Sequence, residues 1–254
     1  MLLHYTVNRR AVTASMGYIY KYSFLEKVKH SAMCIHIYSI EFRHPLPHNL
    51  LHTLLMALPG GLREKARRYR RWQDMHSCIL GKHLISFALL EAGYPANLRN
   101  LQYTAHGRPY IAQAPDFNIT HSGNRVVCVV ATSGAVGIDL EAVHAIDIHD
   151  FRDQFTSAEW LHIVDATDPI QMFYHYWTAK ECLSKADGRG MNIPLAQIDL
   201  CNGATVQLED RSWHLQSLSD FTGYACHLAT EDLHSEVVVE EYSAEDMLLL
   251  LPQC

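Results

Sequence analysis

The sequence predicts an α+β fold built on antiparallel sheets, and three observations carry that expectation. Short apolar runs follow one another closely between residues 103 and 142, and again between 198 and 239. Turn residues separate them, which suits hairpins. Two longer helical patterns, over 62–92 and 169–186, stand among these runs. A doubly wound parallel sheet would instead alternate strand and helix regularly.

Each element follows from local pattern. From Met33, MCIHIYSIEF alternates and reads as a first strand. The stretch Leu62–Ala92 lacks Pro and is interrupted only by Gly81. Its first part, Arg63–Arg71, is rich in Arg and Lys. Met75, Ile79, Leu80, His83, Leu84, Phe87 and Leu90 then recur at helical spacing, and Gly93 and Pro95 end the run. A helix or helix pair with a basic first half and a buried second half is expected. From Tyr103, HGRPYI, FNITHSG, RVVCVVAT and AVGIDLEAV read as alternating turns and strands. Phe151–Ala166 is mixed helical, with Thr156 or Ser157 as a cap ahead of Glu159. Pro169 opens a helix to Ala186, and Asp187-Gly188 stops it. Strand-like pieces follow at Ile198–Leu200, Thr205–Leu208, His214–Leu218, Tyr224–Thr230 and Val237–Val239.

Composition bounds the function. The chain has 254 residues, 48% of them apolar and 19% charged, enough to bury a core. Its formal net charge of −6 disfavours a general nucleic-acid binder. The seven Cys are widely spaced with no C-x-x-C, so they read as reduced thiols of a cytoplasmic protein without metal or catalytic duty. No apolar run is long enough to span a membrane. Residues 1–32 read as a poorly ordered extension, or as sequence upstream of a start at Met33.

Five constellations carry chemistry. In Val136-Gly137-Ile138-Asp139-Leu140-Glu141, alternation puts three apolar side chains on one face and Asp139 and Glu141 on the other. Two carboxylates there suit Mg²⁺; alone, the pattern equally describes a solvated acidic edge. On one helix, Phe173, Trp177, Glu181 and Lys185 recur at i, i+4, i+8 and i+12. That stripe is either an aromatic core end with a solvated ion pair, or a third carboxylate with phosphate-binding lysines. Thr120, His121 and Ser122 stand in a polar turn before the buried strand Val126–Val130, with donors for a phosphate. His106-Gly107-Arg108-Pro109-Tyr110 is a glycine turn presenting one guanidinium. Arg63, Lys65, Arg67, Arg68, Arg70 and Arg71 form a basic run, a solvated helix face unless a polyphosphate or acidic protein meets it.

In order and spacing, G-R-P-Y-I, F-N-I-T-H-S-G, G-I-D-L-E and F-Y-x-x-W-T-x-K-E-x-x-x-K-x-x-G-x-G resemble the signature series of the Sfp-type 4′-phosphopantetheinyl transferases. The likeness reaches upstream to Arg63-Glu64-Lys65-x-Arg67-Arg68-Tyr69 and downstream to Gly223-Tyr224-Ala225-Cys226. It implies a pseudo-dimer of two similar α+β halves, 33–134 and 135–235, with a tail over 236–254. It implies transfer of the 4′-phosphopantetheine of coenzyme A to a serine of an acyl, peptidyl or aryl carrier protein, by a monomer. Mg²⁺, for which Mn²⁺ can substitute, would sit on Asp139, Glu141 and Glu181. Glu181, Asp139 and Lys185 would be catalytic. Lys65, Arg108, Thr120, His121, Ser122, Lys180 and Lys185 would bind coenzyme A. Three positions depart from the family: Arg108 stands where Lys is frequent, Cys182 where Ser or Ala is usual, and Ser77 where an Arg near the nucleotide is common. A Mg²⁺-dependent phosphohydrolase and a silent coenzyme A binder are the competing readings. Ile148, Phe151 and Phe155 with Arg152 offer either a carrier-docking stripe or core packing.

Overall fold

The structure, a computed structural model, describes residues 34–95, 97–201, 203–233 and 235–251. The N-terminal extension 1–32 and Cys254 lie outside the described residues. The strands are β1 (Cys34–Glu41), β2 (Gln102–Tyr103), β3 (Pro109–Tyr110), β4 (Asp116–Ser122), β5 (Arg125–Ala131), β6 (Val136–Ala142), β7 (Thr205–Leu208), β8 (Arg211–Ser217), β9 (Tyr224–Thr230) and β10 (Glu236–Tyr242). The α-helices are α1 (His48–Ala57), α2 (Gly60–Arg67), α3 (Trp72–Glu91), α4 (Ser157–Val164) and α5 (Pro169–Asp187).

Two four-stranded sheets organise the molecule. The first has the order β10-β1-β5-β4 and the second β6-β9-β8-β7. Pairing is antiparallel except between β10 and β1, which run parallel. Period-2 alternation gives each sheet two apolar faces. Ile35, Ile37, Val127 and Val129 of the first sheet share a core with Val136, Ile138, Leu140 and Leu228 of the second. The opposite face of the first sheet, with Tyr38, Ile40, Val126 and Cys128, packs against α1 and α3 through Leu54, Leu80 and Leu84. The far face of the second sheet takes α5 through Cys182, Leu183, Trp213 and Ala229. The layers are therefore helix, sheet, sheet, helix.

The two sheets also meet edge to edge, along β4 and β6, and side chains rather than carbonyls make the joint. Asp116 Oδ2 accepts from Val136 N at 2.9 Å, Asn118 Oδ1 from Ile138 N at 3.1 Å, and Ser122 Oγ from Ala142 N at 3.0 Å. Buried backbone donors need such partners, and alternate residues of β4 supply them at a constant offset. This polar seam fixes β6, the strand that carries the two carboxylates.

Several expectations are corrected. FNITHSG is mostly strand β4, not a turn; the reversal falls at Gly123, where φ is 56°. Ile198–Leu200 is not a strand: it follows the 3₁₀ turn Leu195–Gln197, and its backbone serves a buried ion pair described below. Residues 236–251, part of the segment expected as a C-terminal tail, pack on the first sheet and its core. There β10 pairs with residues 34–40 of β1, and Ala244 and Met247 are buried in the first core. Helix α1 has no counterpart in the sequence reading. The basic-then-buried pair α2 and α3 is as expected, as are the Thr156 capping box and the left-handed Gly188 (φ 92°) that ends α5. Ile148 and Phe155 are buried and Phe151 packs on Phe173 and Trp177, so the stripe belongs to the core and not to a docking surface.

Candidate active site

The acidic face of β6 and the polar face of α5 meet in a cleft. Val136, Ile138 and Leu140 are fully buried, so Asp139 and Glu141 face the other way, toward α5. Gly137 allows this approach: a Cβ there would stand 2.8 Å from the Ala186 Cα. Asp139 is 2% exposed, whereas Glu141, Glu181 and Lys185 are half-buried.

Lys185 is the electrostatic centre. Its Nζ lies 2.5 Å from Asp139 Oδ1 and 3.1 Å from Thr120 Oγ1. Thr120 itself donates to Asp139 Oδ1 at 3.0 Å. Burial opposes the lysine's charge, but Asp139 first, then Glu181 and Glu141, raise its pKa overall. Burial pushes the Glu181 carboxyl up, and the neighbouring Asp139 charge pushes it further. Glu141 is raised by burial too, partly offset by the Ser122 hydroxyl, which donates to Glu141 Oε2 at 2.6 Å. The Asp139 charge thus raises both glutamates, and Glu141 raises Glu181 further; such a group of carboxylates favours a cation between them.

His121 lies on the opposite face of β4 and is exposed. Desolvation and then the charge of Lys185 hold its pKa below the usual histidine value. Lys65 is also exposed, with its Nζ 5.3 Å from the centre of the Tyr103 ring.

Two expected ligands are not part of the cleft. Lys180 is fully buried, paired with the equally buried Glu159 at 2.8 Å, and donates to the Leu195 and Ile198 carbonyls at 2.8 and 2.5 Å. Five residues before Lys185 on a helix is about 140° away around its axis, so the two lysines cannot share a face. Arg108 turns inward rather than toward a phosphate. Its guanidinium donates to the Lys185 carbonyl, to the Ala186 carbonyl at 2.9 Å, to Asp116 at 2.6 Å and to the Val136 carbonyl at 2.9 Å. It ties the end of α5 to β4 and β6, a use of Arg at a helix C-terminus.

The donor set fits a hard divalent cation in its chemistry. Asp139 Oδ2 is buried and has no hydrogen-bond partner among the described residues, and carboxylate oxygens are what Mg²⁺ takes. Among the described residues no three His, Cys, Asp or Glu side chains close on one metal-sized point; Lys185 Nζ stands on Asp139.

Comparison with known proteins places this site in a family. Residues 135–229, which hold β6, α5 and β9, match the family model of the 4′-phosphopantetheinyl transferase superfamily. The chain is similar to the 4′-phosphopantetheinyl transferase Sfp of Bacillus subtilis, with 30% identity over 63% of this chain and 73% of that protein. A second 4′-phosphopantetheinyl transferase of Bacillus subtilis is 34% identical over the same shares, 63% and 73%. A phosphopantetheinyl transferase of Thraustochytrium is 33% identical over 59% of each chain. The chain belongs to the 4′-phosphopantetheinyl transferase superfamily, and it is a transferase of that kind.

Proposed function

We propose that the β6–α5 cleft transfers the 4′-phosphopantetheine of coenzyme A to a serine of an apo carrier protein, with Asp139, Glu141, Glu181 and Lys185 as its working groups. The observation that carries this reading is the Asp139–Lys185 pair, whose second carboxylate oxygen, Asp139 Oδ2, is buried without a hydrogen-bond partner among the described residues. The reaction forms a bond from the serine oxygen to the phosphorus nearest the pantetheine. The bond from that phosphorus to the bridging oxygen breaks, and the oxygen leaves with adenosine 3′,5′-bisphosphate. The serine proton passes to Glu181, whose raised pKa makes it a stronger base than an ordinary carboxylate. Lys185 and His121 hold the pyrophosphate, because charge on the departing oxygens must be neutralised as it develops. Mg²⁺ on Asp139, Glu141 and Glu181 would supply the remaining neutralisation. Thr120 and Ser122 orient the carboxylates from β4. Residues 33–134 and 135–235 act as two halves framing the cleft in a cytoplasmic monomer.

The test follows adenosine 3′,5′-bisphosphate release and carrier mass in parallel. Release only with apo carrier, together with the mass gain of one phosphopantetheine, supports transfer. Release without carrier supports a phosphohydrolase, and no release in either case supports a silent binder. Asp139→Ala abolishes transfer, and chelation of divalent ions does the same to the wild type but reversibly. Near-full activity of Asp139→Ala overturns the site.

A further inference from the structure

A cavity of about 320 Å³ opens between α5, β9 and the turn that joins β8 to β9. None of Asp139, Glu141, Glu181 and Lys185 lines it, but two histidines do. His175 of α5 is exposed, and His227 of β9 is 3% exposed. Their ring centres stand 4.6 Å apart and their planes cross at 78°.

The surroundings of His227 fix which of its nitrogens carries the proton. The Thr178 hydroxyl has one hydrogen. It lies 2.8 Å from the Tyr174 carbonyl oxygen, which can only accept, so the hydroxyl donates there. Toward His227 Nδ1, 2.7 Å away, the hydroxyl must then accept. His227 is therefore the Nδ1–H tautomer, and its Nε2 keeps a free lone pair. An imidazole whose other N–H is held by a fixed oxygen is oriented as metal-ligating histidines are. Burial, and then the neighbouring His175, push the His227 pKa down to about 3, and burial lowers His175 as well. Both rings are neutral at neutral pH, the form that ligates a metal.

Chemistry selects the ion. Paired imidazoles suit Zn²⁺, Ni²⁺ or Cu²⁺, whereas Mg²⁺ takes oxygen. Two imidazoles bound cis to one ion at about 2.0–2.1 Å have ring centres about 4.5–5.2 Å apart, a range that includes the observed 4.6 Å. Oxygen donors line the same cavity. Gln171 stands one helical turn before His175, and Ser217 is the β8 register partner of His227.

We propose that His175 and His227 form a binding site for a divalent transition-metal ion of the Zn²⁺, Ni²⁺ and Cu²⁺ class, with Gln171, Ser217 and water completing its shell. His227 is also the β6 register partner of Asp139, so the site lies one strand from the carboxylate cluster. The proposal stands independently of how the cleft is read.

The experiment titrates the full chain with Ni²⁺ by calorimetry in excess Mg²⁺, which fills oxygen sites, and records the electron paramagnetic resonance of bound Cu²⁺. Exposed His48 and His52 stack on α1 and offer a rival pair, so every sample also carries His48→Gln. The parent protein is expected to bind one Ni²⁺ equivalent more than His175→Gln, and to show nitrogen couplings on Cu²⁺ that this variant loses. His175→Gln alters an exposed side chain, so it decides the matter even if His227→Gln fails to fold. A folded His227→Gln loses the same equivalent. Thr178→Val leaves the His227 Nδ1–H without its acceptor and weakens binding about 10–100-fold. Equal binding by the parent and His175→Gln overturns the site. So does a site that survives in His227→Gln or is untouched by Thr178→Val, since His227 would then take no part in it.

Discussion

Gly137 and Ala186 lie backbone against backbone, and the active cleft depends on that contact. A Cβ on Gly137 would meet the Cys182 carbonyl, the Ala186 amide and, at 2.8 Å, the Ala186 Cα. None of these is the movable end of a side chain, so α5 itself must shift. Glu181 and Lys185 ride on that helix, and the end of α5 is already clamped by Arg108.

Gly137→Ala is therefore expected to lower stability by about 1–3 kcal/mol, the usual range for overpacking. It should also lose most transfer activity at temperatures where it remains folded. Denaturant unfolding and carrier mass gain measure the two effects separately. Wild-type stability and activity in this variant would show that α5 is not held where described.

The Glu159–Lys180 pair predicts a purely structural phenotype. Both side chains are 0% exposed. Glu159 also caps α4 through Thr156 N at 2.8 Å and accepts from Leu200 N at 2.9 Å. Removing one partner of a buried pair leaves the other charge uncompensated, a loss of about 3–5 kcal/mol. Lys180→Met is expected to unfold at markedly lower denaturant, while its folded fraction keeps the wild-type KM for coenzyme A. A raised KM without loss of stability would return Lys180 to the phosphate site.

Phe155→Ala tests the core assignment of the aromatic stripe. Phe155 is 2% exposed and packs against Trp160, Phe173 and Trp177. The cavity should cost about 3–5 kcal/mol, read as a lower unfolding midpoint. Unchanged stability with a raised KM for carrier would instead make it a docking residue.

How legible the site was depends on how far each contact reaches. Asp139 and Glu141 could be read because period-2 alternation alone decides which face they take. Lys185 shares its face with Glu181 at i+4, so that pair was legible too. Lys180 was not, since its partner Glu159 lies 21 residues away and only packing of α4 on α5 brings them together. Arg108 was misread for the same reason: the carbonyls that hold it belong to residues 185 and 186. The β4–β6 seam needs a register that no local pattern encodes. Parallel β10–β1 pairing joins residues about 200 apart, and Val237–Val239 carried only the local signal of a strand.

Stability should fall on acidification through histidines held neutral in the fold. His76 is 1% exposed, and its Nε2 accepts from Leu46 N at 3.0 Å, which a protonated ring cannot do. Burial lowers its pKa below 6.5, against a smaller upward pull from a backbone bond to Trp72. Between the folded value and 6.5 the unfolded chain binds more protons than the folded one. The contribution is therefore complete above about pH 6.5 and is lost as pH falls. His36 and His83 shift the same way, and His227 is pushed down to about 3. Glu91, raised to about 7 by burial, works in the opposite sense, because the folded chain takes up its proton first on acidification. A single histidine can account for at most about 1.4 kcal/mol per pH unit. A difference measurement removes the other groups: the stability lost between pH 7.5 and pH 5 should be smaller in His76→Gln than in the wild type. Glutamine stays neutral throughout, so any cost of the substitution itself appears equally at both pH values. The same loss in both proteins would mean that His76 protonates without strain in the fold, against the hydrogen bond from Leu46.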